Sequence, residues 1–573
     1  MSDEKERPPV YQKLKKIRGK EDLNIKKDSQ YLKNDFELRN YQKQMVLHML
    51  LMKRFVVGDD TGLGKTAEAI AMMGYLWEKD PSLKCLVVTN TSAMRQWGNE
   101  FEKFTNGIEW TLVEGRPEDR EKIYKDYFEN YNSSNPEVLI VNYHRLRRDR
   151  RDFLQYAQDE NFVLIADEAT AFKNPSSKTH NSLKMIARHA ERVYGLTATL
   201  IKNNLEEGFG IYKVIKPNLF PSKTGFHRNY CVTRMQKIKG GRKIPIIVGH
   251  SREHVRKFKD RIDAYYLGRA KHEVADELPT LTTKDINVPL NRDQWQYYLQ
   301  AIEGFLNVNE DVELDDEEEE EELETEKEVT HLTELIYTQE IVDSPYLIGN
   351  HVGSEKETYL LDLLDNELSE EKKIIFTRFK EMVNRLTGIL ENRGFEYAIK
   401  QKNGKYVPKE DEKIEKNSYA RITGSEGDQA RETGKNAFIE NKNTNVIFVT
   451  MAGAEAINLQ EARVMIFYDL PWSAGDYLQL IGRMIRIGSP HESVYSLHLI
   501  SEGPGGEETI DKHVRDTLDG KMDLIEKVIG ERVKKGENLS EEEKDEVLID
   551  TEKSETKEIF EKMKESAKNI SGD

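Results

Sequence analysis

Cysteine is nearly absent from this 573-residue chain, which carries only Cys85 and Cys231, far apart. Two such thiols build neither a disulfide framework nor a cysteine zinc ribbon, so a stapled secreted domain is excluded, no structural zinc is expected, and a reducing compartment suits the chain. Long apolar runs are lacking as well. Residues 1–18 are polar and basic, and the most apolar segment near them, 45–57, is interrupted by His48, Lys53 and Arg54. Neither a signal peptide nor a membrane span is expected. Basic charge is in deficit: 86 Lys and Arg against 103 Asp and Glu give a net charge of −17. One stretch accounts for most of it, because residues 310–328 hold fourteen acids and one lysine, and the rest of the chain nets −4. That stretch reads as a self-repelling, solvated loop.

The length predicts three to four domains with room for large cores. Their organising element is Gly58-Asp59-Asp60-Thr61-Gly62-Leu63-Gly64-Lys65-Thr66, between the apolar run 55–57 and a helical pattern at 67–73. A strand ending in a glycine-rich turn that opens a helix gathers backbone N–H groups and the positive end of the helix dipole at one place, which suits a polyphosphate. Lys65 would reach the β- and γ-phosphates of ATP, and Thr66 would hold Mg²⁺. The match to the general G-x-x-x-x-G-K-[ST] pattern is imperfect, because the pattern places glycine where this chain has Asp59. Just upstream, an aromatic followed six residues later by Gln42 offers one amide donor and one acceptor to an adenine edge.

Strand-like and helix-like segments then alternate. Apolar runs at 85–89, 138–141 and 162–166 imply a parallel sheet covered on both faces, and the third ends in Asp167-Glu168. In such sheets ligands bind at the carboxyl ends of strands, which places Lys65, Asp167 and Glu168 together: Asp167 to hold Mg²⁺ and Glu168 to bind at the metal side and to orient or deprotonate water. A second series begins near 354, with 373–379 as strand then loop and further runs at 421–425, 445–450 and 464–469, so the expected fold is α/β with two parallel-sheet lobes and small helical protrusions. Between them, Gly240-Gly241 reads as a hairpin tip and 252–266 as a basic helix, and within the second series 400–406 with Asn403-Gly404 reads as a small hairpin. His250-Ser251-Arg252-Glu253-His254 spells an H-x-x-E-H zinc pattern, rejected because its surroundings are basic. Arg483 and Arg486, three apart in a helical pattern, would share one helix face.

Together these motifs resemble the Swi/Snf-like ATPases of helicase superfamily two. The resemblance rests on Leu38-Arg39-Asn40-Tyr41-Gln42, Asp59 to Thr66, Asp167-Glu168-Ala169-Thr170, Thr197-Ala198-Thr199-Leu200, Gly453 to Gln460, Asp469-Leu470-Pro471-Trp472 and Gln479 to Gly488. Thr170 replaces a usual histidine, and Ala198 and Leu200 depart from a Thr-Gly-Thr-Pro motif. The resemblance implies two RecA-like lobes, with an arm at 1–35, lobe 1 at 36–280 including a hairpin and helical protrusion near 232–280, a linker at 281–353, lobe 2 at 354–528 and a charged tail at 529–573, where 547–563 reads as an amphipathic helix. It further implies a nucleic-acid-stimulated ATPase that translocates on double-stranded DNA. Catalysis would fall to Lys65, Asp167, Glu168 and the arginine fingers Arg483 and Arg486. Nucleotide binding would fall to Gln42, Asp59, Gly62, Leu63, Gly64, Lys65, Thr66 and Gln479. Nucleic-acid contacts are expected at Thr89, Asn90, Thr91, Tyr143, His144, Thr377, Arg378, Phe379, Thr450, Ala452 and Gly453. A DNA-bound protein or polymerase is a further candidate partner, and the implied location is the cytoplasm or nucleoid. A strand-separating helicase and a DNA-binding scaffold without motor activity are the alternatives. Basic clusters at 145–151, 237–243 and 252–261 offer phosphates a footprint, although any one of them is more often a solvated face.

Overall fold

The computed structural model describes residues 11–18, 29–202, 204–237, 243–274, 278–302, 335–402, 405–408, 417–454, 458–486, 488–529 and 547–549. The acidic stretch 310–328, Gly240-Gly241 and Asn403-Gly404 lie outside them. The chain divides into two compact units, 1–277 with 522–550 and 278–521 with 551–573.

In the first unit the strands are β1 (Arg54–Val57), β2 (Lys84–Thr89), β3 (Glu109–Leu112), β4 (Glu137–Asn142), β5 (Phe162–Asp167), β6 (Arg192–Leu196), β7 (Val232–Lys237), β8 (Lys243–Ser251) and β9 (Tyr266–Leu267). Seven form one parallel sheet in the order β3-β4-β2-β5-β6-β1-β9. The continuous apolar runs are explained by burial of both faces. Leu86, Val88, Leu139, Val141, Leu164 and Ala166 pack with Tyr124, Phe153 and Phe209 on one side. Their sequence neighbours Cys85, Val87, Val138, Ile140, Val163 and Ile165 pack with Ile70, Trp77 and Trp97 on the other. Successive strand residues point to opposite faces, so each run feeds two cores, and each fully buried aliphatic side chain contributes about 1.5–3 kcal/mol.

Part of the N-terminal arm belongs to this core. Tyr31 and Leu32 are buried, and Tyr31 meets Trp77 edge-on at 6.1 Å. The antiparallel pair β7–β8 forms the expected hairpin. The basic helix is shorter than its charge pattern suggested: it spans Arg252–Ile262, buries Val255, Phe258 and Ile262, and gives way to β9. The amphipathic helix expected at 547–563 is not formed at its start, where Val547–Ile549 pairs antiparallel with β8; the remainder lies outside the described residues. β-Branched Val and Ile favour the strand once an edge is offered.

The second unit contributes β10 (Thr280–Pro289), β11 (Lys373–Phe376), β12 (Glu396–Tyr397), β13 (Ile399–Lys402), β14 (Lys405–Pro408), β15 (Ser418–Ile422), β16 (Thr444–Val449), β17 (Val464–Phe467) and β18 (Ser493–Glu502). Its parallel sheet runs β10-β18-β17-β11-β16-β15-β12, and β13 and β14 pair as the small hairpin. The sheet thus begins at Thr280, the last residue assigned to lobe 1, and its first strand runs through 281–289, read as linker. The polar edge strand β10 exposes most of its side chains and buries chiefly Ile286 and Val288, so it lacks the apolar run that marks an interior strand. Among the described residues, no helix is long and apolar enough to cross a membrane.

Buried histidines, His48 and His250 among them, make the first unit acid-sensitive. His48 Nδ1 meets the Gln44 carbonyl at 2.6 Å while Nε2 accepts from Arg18 Nε at 3.2 Å. His250 Nδ1 meets the Tyr230 carbonyl at 2.9 Å and Nε2 accepts from the Leu205 N–H at 3.3 Å. Both rings are held neutral, and neither nitrogen of His250 is turned toward His254. Burial lowers each pKa to about 4. Below pH 6.5 the unfolded chain takes up protons that the folded unit refuses, so stability falls with pH down to about 4, by about 3 kcal/mol per histidine. Urea midpoints measured from pH 7.5 to 4.5 should show this loss, and His48→Gln should reduce it.

Candidate nucleotide site

The loop after β1 is shaped by two left-handed glycines, Gly62 (φ 84°) and Gly64 (φ 91°), a conformation that a Cβ disfavours. Gly64 precedes the helix Lys65–Lys79 and provides no side-chain cap. The N–H groups of its first turn have no intrahelical acceptor and form the positive end of the helix dipole, which is the arrangement an anion needs. The Lys65 amine donates to the carbonyls of Asp59 (2.7 Å) and Asp60 (3.2 Å), poised over its own loop. Tyr41 Oη (2.9 Å) and Gln42 Nε2 (3.0 Å) both donate to the Leu63 carbonyl. Gln42 Oε1 accepts from the Arg39 N–H at 2.9 Å. The glutamine therefore braces the loop through both ends of its amide.

Asp59 requires a correction. Its carboxylate is fully buried and paired with Arg269, through Nε to Oδ1 at 3.0 Å and Nη2 to Oδ2 at 2.5 Å. It is turned into the protein rather than toward a phosphate, as electrostatics demands of an anion beside a polyphosphate. Arg269 also donates to the Tyr41 carbonyl, lies 5.1 Å from the Tyr41 ring centroid and 3.7 Å from Glu68 Oε1. Burial raises both carboxyls, Glu68 well above the usual range.

Strand order brings the acidic pair near. β1 and β5 flank β6, so Asp167 at the end of β5 stands two strand spacings, about 10 Å, from the loop strand, with Thr197 and Thr199 following the strand between. Lys65 is close enough to pull the Asp167 pKa down, although burial wins and raises it. Three donors orient that carboxylate: Trp97 Nε1 (2.8 Å) and Thr89 Oγ1 (2.9 Å) on Oδ2, and the Glu168 N–H (3.1 Å) on Oδ1. Tyr143 Oη donates to the Asp167 carbonyl at 2.6 Å. Glu168 adopts φ 53°, the one non-glycine positive φ among the described residues, and its Oε1 accepts from Thr170 Oγ1 at 2.6 Å. Thr197 Oγ1 donates to the Thr199 carbonyl at 2.9 Å. The buried hydroxyls Thr61 Oγ1 and Thr199 Oγ1 have no hydrogen-bond partner in the protein, which fits a polar ligand at this place.

Several expected nucleic-acid contacts are interior groups. Thr89 and Tyr143 are buried and spent on Asp167. Thr377 is buried, with its hydroxyl on Asp469, whose Oδ1 also accepts the Arg378 N–H at 3.0 Å. Thr450 is buried, and Gly453 lies so close to the Ile422 carbonyl that a Cβ would stand 1.8 Å from its oxygen. Tyr143, Thr377 and Thr450 directly follow their strands, and the Tyr143 and Thr377 hydroxyls are both turned inward onto protein acceptors. Thr91, His144 and Ala452 are exposed, and Asn90, Arg378 and Phe379 are half-buried. Arg378 lies 5.4 Å from the Phe379 ring centroid and 5.8 Å from that of Trp472.

Gln479 and Arg483 lie half-buried on the helix Ala474–Met484. Arg486 is not on that helix: Ile485 turns extended (φ −84°, ψ 100°), so the two arginines do not share a helix face, and Arg486 Nε donates to the Gly482 carbonyl at 3.2 Å. Sequence reasoning missed Arg269 and the role of Trp97. A tryptophan on an amphipathic helix has an N–H that needs an acceptor when buried, which was the available signal. No local spacing pointed to Arg269, 210 residues from its partner.

A braced glycine loop opening an uncapped helix, with an oriented acidic pair two strands away on a parallel sheet, defines a phosphate-loop nucleotide site on an α/β fold. Residues 41–347 match the SNF2-related domain and residues 355–488 the helicase conserved C-terminal domain. The chain belongs to the SNF2-related family. It is 26% identical over 518 residues to a Mycoplasma pneumoniae protein described as an uncharacterized ATP-dependent helicase, covering 88% of this chain and 43% of the relative. It is 26% identical over 514 residues to the mouse chromodomain-helicase-DNA-binding protein 1-like, covering 86% and 50%. The chain thus spans half the length or less of these relatives. The Sulfolobus solfataricus SWI2/SNF2 ATPase core, solved in complex with dsDNA, aligns at 22% identity over 88% of this chain and 99% of its own, with a TM-score of 0.38.

Proposed function

We propose that the chain is an ATP-hydrolysing motor that moves along double-stranded DNA. The observation that carries this reading is a glycine loop and Lys65 opening an uncapped helix with, two strands away on the same sheet, an Asp167 carboxylate oriented by Trp97, Thr89 and the Glu168 N–H. Lys65 and the helix N-terminus bind the phosphates, and Gln42 braces the loop. Thr66, Asp167 and Glu168 are the residues that would hold Mg²⁺, and the ion when bound supplies charge neutralisation on the phosphates. Glu168, fixed by Thr170, orients and deprotonates the attacking water. Arg483 and Arg486 are assigned charge neutralisation on the transferring phosphoryl group, as the family resemblance implies.

Steady-state ATP hydrolysis without nucleic acid and with single-stranded DNA, double-stranded DNA or double-stranded RNA tests the reading. Stimulation by duplex DNA is expected. It should fall steeply with salt, because a motor that grips six or more phosphates loses about a thousandfold or more in affinity between 50 and 200 mM salt. Stimulation chiefly by RNA or single strands would favour a strand-separating helicase. An absence of turnover with every nucleic acid would leave a DNA-binding scaffold.

A further inference from the structure

We infer that Arg269 is a positioning residue for the nucleotide site, acting through the loop it grips; the inference rests on the nucleotide-binding reading above. The loop strand does not end where β1 ends. The Val56 N–H donates to the Tyr265 carbonyl (2.9 Å), the Gly58 N–H to Leu267 (2.7 Å) and the Asp60 N–H to Arg269 (3.0 Å). A parallel ladder therefore runs from β1 past its end and into the loop, along a segment more than 200 residues away in sequence. It takes up the N–H groups of Gly58 and Asp60, so the loop presents its later N–H groups, at the helix opening, to a phosphate.

The side chain of Arg269 completes the wall. Its guanidinium binds both oxygens of Asp59 in the loop, the Tyr41 carbonyl beside Gln42, and lies near Glu68 in the helix that follows Lys65. One buried cation thus joins the three pieces that surround a bound nucleotide, the glutamine turn, the loop and the loop's helix. A fork of fixed geometry is needed to hold two carboxylate oxygens and a carbonyl at once, which an ammonium does not reproduce. The other end of the segment is fixed too: Arg18 donates to Asp263 Oδ1 (2.5 Å), the Asp263 carbonyl (2.6 Å) and the Tyr266 carbonyl (2.9 Å). With both ends held, the segment acts as a rigid flank against which the loop keeps its shape.

The test compares wild type with Arg269→Met and Arg269→Lys. Three readouts are needed: equilibrium ADP binding by calorimetry, amide hydrogen exchange across 58–66 against the core strands 84–89 and 162–166, and KM against kcat for ATP. The expected result is an approximately tenfold or greater weakening of ADP binding in Arg269→Met with a rise in KM. Faster exchange should be confined to 58–66, and Arg269→Lys should recover part of the loss. A general loss of stability would speed exchange in all three segments alike. If folded Arg269→Met binds ADP and exchanges within twofold of wild type, the inference is overturned, as it is if exchange rises uniformly. Should Arg269→Met fail to fold, Asp59→Asn decides: loosened 58–66 with weaker ADP binding supports the inference, and wild-type values overturn it. A wild-type protein that neither binds ADP nor hydrolyses ATP would sink the nucleotide reading instead, while exchange at 58–66 in the variants still reports whether Arg269 holds the loop.

Discussion

Glu168→Gln is expected to lower ATP turnover at saturating ATP by about 10²- to 10⁴-fold, the range a positioned general base contributes, while leaving ATP affinity within a few-fold. The residue sits in the left-handed region at φ 53°, a conformation that costs a non-glycine residue about 1–3 kcal/mol and persists only where surrounding contacts impose it. Those contacts are visible. The Ala171 N–H closes on the Glu168 carbonyl at 2.9 Å, and the Thr170 hydroxyl holds the carboxylate at 2.6 Å. Thr170, which departs from the histidine of the related motif, thus has a task in this chain. Glutamine keeps the volume and still accepts from Thr170, but its amide cannot take a proton from water. Single-turnover hydrolysis beside equilibrium ATP binding checks the prediction. A rate within tenfold of wild type would remove Glu168 from the base role, and a selective loss of binding would make it a nucleotide ligand.

The second large effect lies in the core of the second unit. Lys356 is fully buried, with its amine 2.9 Å from Asp343 Oδ1, 2.6 Å from Asp511 Oδ2 and 3.0 Å from the Tyr468 carbonyl. Burial opposes the charged amine, yet the two carboxylates override it and hold the pKa above its ordinary value. Asp511 is held in turn by Gln339 Nε2 (2.7 Å) and the Ser501 N–H (2.9 Å), so helix, loop and strand meet on one ammonium. Lys356→Met would leave two carboxyls in the core without their cation, and removing one partner of a buried ion pair typically costs about 3–5 kcal/mol. For a unit of this size that corresponds to a fall in melting temperature of about 10 °C. Differential scanning calorimetry should show one transition shifted and the other unmoved. Adding Asp343→Asn should restore part of the loss by removing an orphaned charge, and a melting temperature unchanged in Lys356→Met would show that the triad contributes nothing net.

The cluster has the same logic as Arg269 with Asp59 and Glu68 in the first unit. In both, one cation faces two buried acids drawn from separate segments. Such groups are expensive to desolvate, and their value here is geometric, since each fixes backbone from distant parts of the chain in one register.

How much of this was legible in the sequence follows from the range of the forces involved. The interior strands were readable because burial of both faces demands continuous apolar runs, as in Val138 to Val141, and the loop was readable because only glycine tolerates φ near +90° at Gly62 and Gly64. β10 was not, since an edge strand with one buried stripe needs no such run. Residues named as nucleic-acid contacts by their place after a strand proved divided: His144 and Thr91 face out, while Thr89, Tyr143 and Thr377 turn in. Sequence position fixes the strand end but not which way the first turn aims its side chain.

By itself, then, the chain's pattern determined the two parallel sheets, the phosphate loop and the acidic pair, because these depend on local periodicity, backbone dihedrals and the chemistry of neighbouring residues. Only the tertiary structure decided what Asp59 does, which groups aim Asp167, and where Arg486 leaves its helix. Those outcomes depend on partners such as Arg269 and Trp97, brought within hydrogen-bond reach by the packing of segments that share no local signal.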